Sequence, residues 1–372
     1  MKYRDPLKRI LTDTRSLWDH DGTRDVVRRV FAIALRCRTA ELGAEVYSSD
    51  NQDFIQYHTC KSRACTSCGN RASIQWRRER WAAQPTQRYH GITFTMPDVL
   101  WPIFRDNPVL TDALPALAAG VIQAHVGARR GLRVGVIAIL HTFNGKLEFN
   151  SHVHTMVTVG GLHDSSEVWI SSTLYDRDAL MRSWQRAVVA ILRAAAQSGQ
   201  LVTKIPSEQI EELLNRQRNR WWSVNIQSFE DKEHFLKYAG RYTRRPPIAE
   251  HRITLITDRT VTFWYKDKKL RRKVEMQCSL EEFVKRWAQH IPERYRHSVR
   301  SFGLFAPRAI HQTTNAIFVI FGQKRRPRPK PLSWAWLIRH TFKRDPLLDR
   351  FGVRMKWVQR ISPTPVSPVR LS

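Results

Sequence analysis

The chain reads as an α+β protein: antiparallel hairpins interspersed with amphipathic helices, behind a small cysteine-bearing N-terminal module and ahead of a basic C-terminal tail. Three observations lead there. Two β-rich runs, residues 134–143 and 147–159, flank Asn144-Gly145-Lys146, and Asn-Gly between apolar runs is a strong hairpin-turn signal. Stretches with helical apolar spacing lie on both sides of that hairpin. Three of the five cysteines fall close together, at Cys60, Cys65 and Cys68, which points to a metal rather than to a disulfide framework.

The elements follow in order. Residues 25–38 (DVVRRVFAIALRCR) have the spacing of an early amphipathic helix, and a polar stretch separates them from the cysteine segment at 57–80. Residues 89–96 (YHGITFTM) alternate like a strand that stops at Pro97, and 110–130 is Ala-rich and helical. After the hairpin come helices at 176–197 and 207–218 and a strand at 221–227. The next helix, 231–243, must end before Pro246-Pro247, because proline lacks an N–H and keeps the residue before it out of the helical region. A second hairpin is expected at 252–265 and a helix at 280–290. From Gly322 onward GQKRRPRPK opens the tail as a basic, Pro-containing linker. The expected division is 1–85, 86–310 and 311–372, with no internal repeat.

Composition limits the function. The 372 residues include 62 Lys plus Arg against 33 Asp plus Glu, a formal charge of +29. With 42% hydrophobic residues the chain can bury a core, so wholesale disorder is excluded. A surplus this large repels itself in the compact state and is relieved by a polyanion, nucleic acid foremost, through counterion release. Thirteen Trp and nine Tyr add surfaces on which unpaired bases stack. The longest apolar runs, 114–122 and 134–140, are too short for a bilayer span, so no membrane partner is expected. The opening MKYRDPLKRI lacks the apolar segment of a signal peptide, which makes the cytoplasm the expected location. No heptad or self-pairing segment marks an oligomeric state.

Cys60-x4-Cys65-x2-Cys68-Gly69 has the knuckle spacing that brings two thiolates to one zinc ion, with the Gly permitting the tight turn behind it. Cys60 is the expected third ligand, and His58 or Cys37 the fourth. Lys61, Arg63, Arg71, Arg77, Arg78 and Arg80 surround the cluster and give it the character of a DNA-contacting module.

His152-Val153-His154 lies in the second strand of the hairpin, so alternation puts both imidazoles on one face and Val153 into the core. Two strand imidazoles form part of a divalent-metal site that a neighbouring element must complete. His141 and Glu148 are the candidates on the hairpin, and His234 is a further alternative. Tyr238 and Tyr242 stand four apart in LKYAGRYT, which places both phenols on one helical face with His234. Lys237, Arg241, Arg244 and Arg245 interleave them, an odd neighbourhood for core tyrosines. Gly240 weakens the helix and allows close approach of another backbone. A metal at the histidines polarises a phosphodiester, and a tyrosine phenolate attacks phosphorus to leave a covalent phosphotyrosine. Two such tyrosines permit two strand transfers without release of an end.

The residues that carry a family resemblance run through most of the chain. They are HTCKSRACTSCGNR at 58–71, ITFTMP at 92–97, LHTFNGKLEFNSHVHTMVTVGG at 140–161, KYAGRYTRRPPIAEHRI at 237–253, VTFWYKD at 261–267 and AQHIPERYRHSVRSFGLFA at 288–306. In these the chain resembles the IS ninety-one family, rolling-circle transposases with a two-tyrosine HUH nuclease. The resemblance implies a zinc-binding N-terminal domain, then an HUH domain built as a central antiparallel sheet flanked by helices. It implies that His152 and His154 bind a catalytic Mg²⁺ or Mn²⁺, with His141 as third ligand or substrate contact. Tyr238 and Tyr242 become nucleophiles that form 5′-phosphotyrosines on single-stranded transposon ends and leave a 3′-OH. Lys237, Arg241, Arg244 and Arg245 become DNA contacts, and the bacterial nucleoid the place of action.

Two departures stand out. Relatives carry a further Cys pair before His58, where this chain has VYSSDNQD, so the fourth ligand of the structural Zn²⁺ stays open between His58 and Cys37. After Asp345-Pro346-Leu347 the chain continues LDRFGVRM in place of another Cys-x-x-Cys, so no zinc is expected there. Other readings are an HUH replication initiator or relaxase and a non-catalytic zinc-containing DNA-binding protein. The Cys module, and RRPPIAE after the second tyrosine, favour the transposase.

Overall fold

The hairpin expected around Asn144 lies at the centre of a five-stranded antiparallel sheet. Strands Gly135–Phe143 and Phe149–Thr158 pair with His141 opposite His152. Asn144 makes the turn by accepting hydrogen bonds through Oδ1 from the amides of Lys146 (2.8 Å) and Glu148 (3.1 Å). Tyr89–Phe94 pairs with the far side of Phe149–Thr158, Val224–Phe229 follows it, and Val299–Gly303 flanks Gly135–Phe143 at the other edge. The computed structural model describes the chain apart from residues 1–4, 63, 67, 167, 241–245, 268–269, 310–312 and 365–372.

Alternation divides each central strand between two cores. Phe94, Val136, Ala138, Val153 and Val157 join the larger one, to which the helices Pro108–Arg130, Arg177–Gln197 and Ser207–Arg218 contribute. Tyr89, Ile137, Ile139 and Met156 face the other way, onto Phe235, Leu236 and Ala239 of the short helix Lys232–Ala239. Pro108–Arg130 is long and apolar enough to meet the length and hydropathy of a membrane span, which the shorter apolar runs of the sequence did not reveal. Its Leu114, Ala118 and Ile122 are buried in the larger core.

By packing, the chain forms two compact units: Trp76–Thr243 with Pro292–Pro329, and Met1–Gln75 with Arg244–Ile291 and Lys330–Ser372. Sequence reading set three consecutive domains; here the stretches interleave. In the unit that holds the N-terminus, helix Asp25–Leu35 buries Phe31 against Trp18 and Trp287. The polar stretch before the cysteines folds as the hairpin Ala44–Ser49 and Gln52–Tyr57. Its first strand also pairs with Lys356–Ile361, so the tail supplies a strand as well as a helix, Trp334–Phe342. The expected second hairpin, Ile253–Ile256 with Thr260–Lys266, gains a third strand at Lys273–Ser279.

Trp184 is fully buried beside Phe94, and its Nε1 donates to the Thr95 carbonyl at 2.8 Å. Trp184→Ala should cost about 3–5 kcal/mol, read as a lower urea midpoint; a loss below about 1 kcal/mol would contradict this packing role.

Candidate active site and metal centres

Two groups of potential metal ligands occur among the described residues, one in each unit. The first joins Cys37, Cys60, Cys65 and Cys68. Helix Asp25–Leu35 delivers Cys37 just beyond its end, and the turn at Cys65–Gly69 presents two sulfurs before helix Gly69–Ala83 begins. The Sγ separations are 3.6 Å for Cys37–Cys68, 3.6 Å for Cys60–Cys68 and 3.8 Å for Cys65–Cys37. Four sulfurs about 2.3 Å from a zinc ion in a tetrahedron stand about 3.8 Å apart, so the set fits Zn²⁺. Hydrogen bonds among the sulfurs, that from Cys60 foremost, lower the Cys37 thiol and raise those of Cys60 and Cys68, so negative charge in the set gathers on one sulfur.

His58 is not the fourth ligand in this geometry. Its Nδ1 lies 3.0 Å from the Leu42 carbonyl and its Nε2 3.1 Å from Glu45 Oε1. Glu45 also accepts from Trp357 and Arg360, which hold its carboxyl below the ordinary range. His58 therefore ties the first strand to the loop before it, and Cys37 completes the cluster. Beside the sulfurs Glu250 accepts from Thr66 Oγ1 at 2.5 Å, and burial raises its carboxyl. Arg63 lies outside the described residues.

The second group joins His141, His152 and His154, whose ligand atoms lie within 4.8 Å of one another. Register accounts for it: His141 faces His152 across two strands, and His154 follows two residues later on the same side. His152 Nδ1 donates to the Asn150 carbonyl at 2.8 Å, so Nε2, 3.1 Å from His141 Nδ1, is the ring nitrogen turned to the cluster. Adjacent ligands of an octahedral ion at about 2.1 Å stand about 3 Å apart, so this pair fits a divalent cation. Thr93, opposite His154 in the next strand, bonds its Nδ1 at 3.0 Å and orients the ring.

Helix Lys232–Ala239 crosses that face and carries Tyr238 in its last turn. The phenol oxygen lies 3.5 Å from His154 Nδ1, and Phe229 and Phe235 flank the ring with centroids at 5.4 and 6.2 Å. The alternative third ligands are engaged elsewhere. Glu148 Oε2 accepts from Asn144 at 2.8 Å, and exposed His234 bonds Asp231, the helix cap, at 2.6 Å. Lys237 pairs with Glu233 at 2.9 Å. Gly240 admits a side chain rather than a backbone, for a Cβ there would lie 2.7 Å from Arg77 Cδ. Tyr242, Arg241, Arg244 and Arg245 lie outside the described residues. Thr93 and Asn150 were missed as supporting residues; strand alternation in ITFTMP, which places Thr93 on the histidine face, was the available signal for the first.

Comparison with known proteins accords with this layout. The family model "Transposase zinc-binding domain" matches residues 10–96, and the model "Putative transposase" matches 135–313. The transposase for insertion sequence element IS801 from Pseudomonas savastanoi pv. phaseolicola is 31% identical, over 99% of this chain and 92% of its own. The chain belongs to the IS ninety-one family of transposases. "Putative transposase y4qJ" of Sinorhizobium fredii is 28% identical over 78% of this chain and 77% of its own. As a transposase the protein acts on DNA, and its zinc-binding domain spans all four clustered cysteines.

Cys37→Ser should lower bound zinc from about one ion per chain towards none, whereas His58→Ala should retain it. Elemental analysis of the purified transposase variants decides, and the reverse pattern would return the fourth position to His58.

Proposed function

We propose that this transposase nicks and rejoins single-stranded DNA at the ends of its mobile element, by the HUH, rolling-circle type of chemistry. The observation that carries the reading is the Tyr238 hydroxyl beside the three-histidine cluster, 3.5 Å from His154. A divalent ion held by His141, His152 and His154, Mg²⁺ or Mn²⁺, would supply Lewis acidity to the scissile phosphate. The strands hold the three imidazoles and the packed helix holds the phenol, so neither must be ordered at the moment of reaction.

Tyr238 Oη attacks phosphorus, a Tyr–O–P bond forms, and the bond from phosphorus to the 3′ oxygen breaks. The phenol loses one proton and the departing 3′ oxygen gains one, so the balance closes through solvent. The 5′ end stays on the protein as phosphotyrosine, and the energy of the phosphodiester is kept for rejoining. Tyr242 is the second nucleophile in this scheme, and Arg241, Arg244 and Arg245 contact the strand. No nucleotide cofactor is required for an exchange that conserves bonds.

Incubation with single-stranded terminus DNA and Mn²⁺ should give a covalent adduct on denaturing gels. In a Tyr238→Phe/Tyr242→Phe double variant that adduct should fall by at least about a thousandfold, and an undiminished adduct would refute the scheme. His152→Ala with His154→Ala should abolish cleavage and leave DNA affinity within about twofold. Nitrogen ligands suit Mn²⁺ better than the harder Mg²⁺, so cleavage should be faster with Mn²⁺; equal activity in chelator would remove the metal from the scheme.

A further inference from the structure

The segment that reads as a basic linker is docked in the structure. Gln323 clamps the backbone of Thr86, accepting from its amide at 2.7 Å and donating to its carbonyl at 2.8 Å. The Arg326 guanidinium lies 3.9 Å over the Trp81 ring, and Arg328 pairs with Glu79 at 3.0 Å. Between this segment and the end of helix Gly69–Ala83 lie two adjoining clefts of about 260 and 560 Å³, which share Ala82, Gln84, Arg325 and Arg326. The larger is also lined by Trp81 and Lys232.

Gln84 supplies the independent sign of a ligand. It is 2% exposed, yet neither its side-chain nitrogen nor its oxygen has a hydrogen-bond partner among the described residues. A buried polar group left unpaired costs about 1–3 kcal/mol, and such groups occur where a ligand completes the bonding. An amide pairs one donor with one acceptor, as the edge of a nucleobase does. The arginines above it are exposed, and stacking on Trp81 holds Arg326 in place without using its N–H donors.

We propose that this cleft holds one unpaired nucleotide of the DNA strand, its phosphate on Arg325 and Arg326 and its base edge against Gln84, whose amide turns towards the cleft on binding. The inference rests on the single-strand reading above and adds a binding position outside the histidine cluster. The carboxylate of Glu79, the one acidic group among the described residues that line the clefts, is neutralised by Arg328 and leaves the site cationic. The docked segment then selects flexible, unstacked strand over duplex, whose bases are turned inward.

Full-length protein is titrated with a short fluorescein-labelled single strand, followed by anisotropy at several salt concentrations. Arg325→Gln/Arg326→Gln should weaken binding about tenfold and make the salt dependence shallower by about 0.7, the value of one phosphate contact on a single strand. Gln84→Leu should weaken binding about fivefold on a normal strand and not at all on an abasic strand of equal length. Thermal melting serves as the folding control, and Gln84→Leu should melt no lower than the parent because it removes an unpaired buried amide. Parent affinity in Gln84→Leu on the normal strand, or an unchanged salt slope in the arginine variant, overturns the proposal. Failure of the parent to form any Tyr238 or Tyr242 adduct would instead sink the strand-transfer reading.

Discussion

Antiparallel pairing of Gly135–Phe143 with Phe149–Thr158 determines which side chains meet, because a slip of one residue would send every side chain to the opposite face. Both faces of this pair are buried, so the register is enforced twice. Val136, Ala138, Val153 and Val157 must enter one core while Ile137, Ile139 and Met156 enter the other. A slipped pairing would put His154 among the apolar side chains of the larger core and Val153 among the imidazoles. The polar cluster is therefore held in place by the apolar residues between its members. The Asn144 turn adds a local constraint of the same sense, through two hydrogen bonds that fix where the second strand starts.

A second constraint concerns the helix that carries Tyr238. At eight residues it is too short to be stable alone and depends on tertiary packing. Asp231 caps it, Phe235, Leu236 and Ala239 bury its apolar stripe, and Lys232 donates to the carbonyls of Trp81 and Gln84. Burial brings the Lys232 ammonium down to about 8, the cost of using a lysine as this anchor. Packing of the Phe229 ring beside Tyr238 also needs an absent side chain. A Cβ at Gly91, in the strand beneath, would come within 2.9 Å of the Phe229 ring and 3.5 Å of Phe235, the two aromatics that flank Tyr238.

How far the sequence could be read depended on whether the deciding interactions were local. The hairpin, the face shared by His152 and His154, and the helices at 177–197 and 207–218 were legible because turn chemistry and periodicity are local signals. His141 was legible only as a candidate, since its distance from His152 is set by register. The choice between Cys37 and His58 was not legible, because it turns on Glu45, Leu42 and the tail strand Lys356–Ile361 meeting around His58. The same holds for the tail: Lys356–Ile361 is exposed along its length and has no apolar alternation to mark it, and its partner strand lies some three hundred residues earlier. Two clusters of similar size therefore differed in legibility, one built from neighbouring strands and the other closed by a residue from beyond a hairpin.

The charge surplus can now be weighed against what the fold can absorb. If every acidic group were paired, 29 basic side chains would still lack an internal counterpart. Many of the pairs that do form are exposed i,i+4 contacts, such as Arg29–Asp25, Lys285–Glu281 and Arg216–Glu212. Such pairs contribute about 0–1 kcal/mol each and do little to offset repulsion across the molecule. The three imidazoles and the phenol add nothing to the formal surplus, in which histidine is counted as neutral. In the proposed scheme, attraction of DNA and the reaction upon it thus fall to different residues. Charge spread over the surface brings a polyanion to the protein in a salt-dependent way, while the position of a bond to be broken is set by side chains whose placement depends on strand register and apolar packing. A protein organised in this way can lose individual surface arginines gradually, but it cannot lose the register of one hairpin without losing the site.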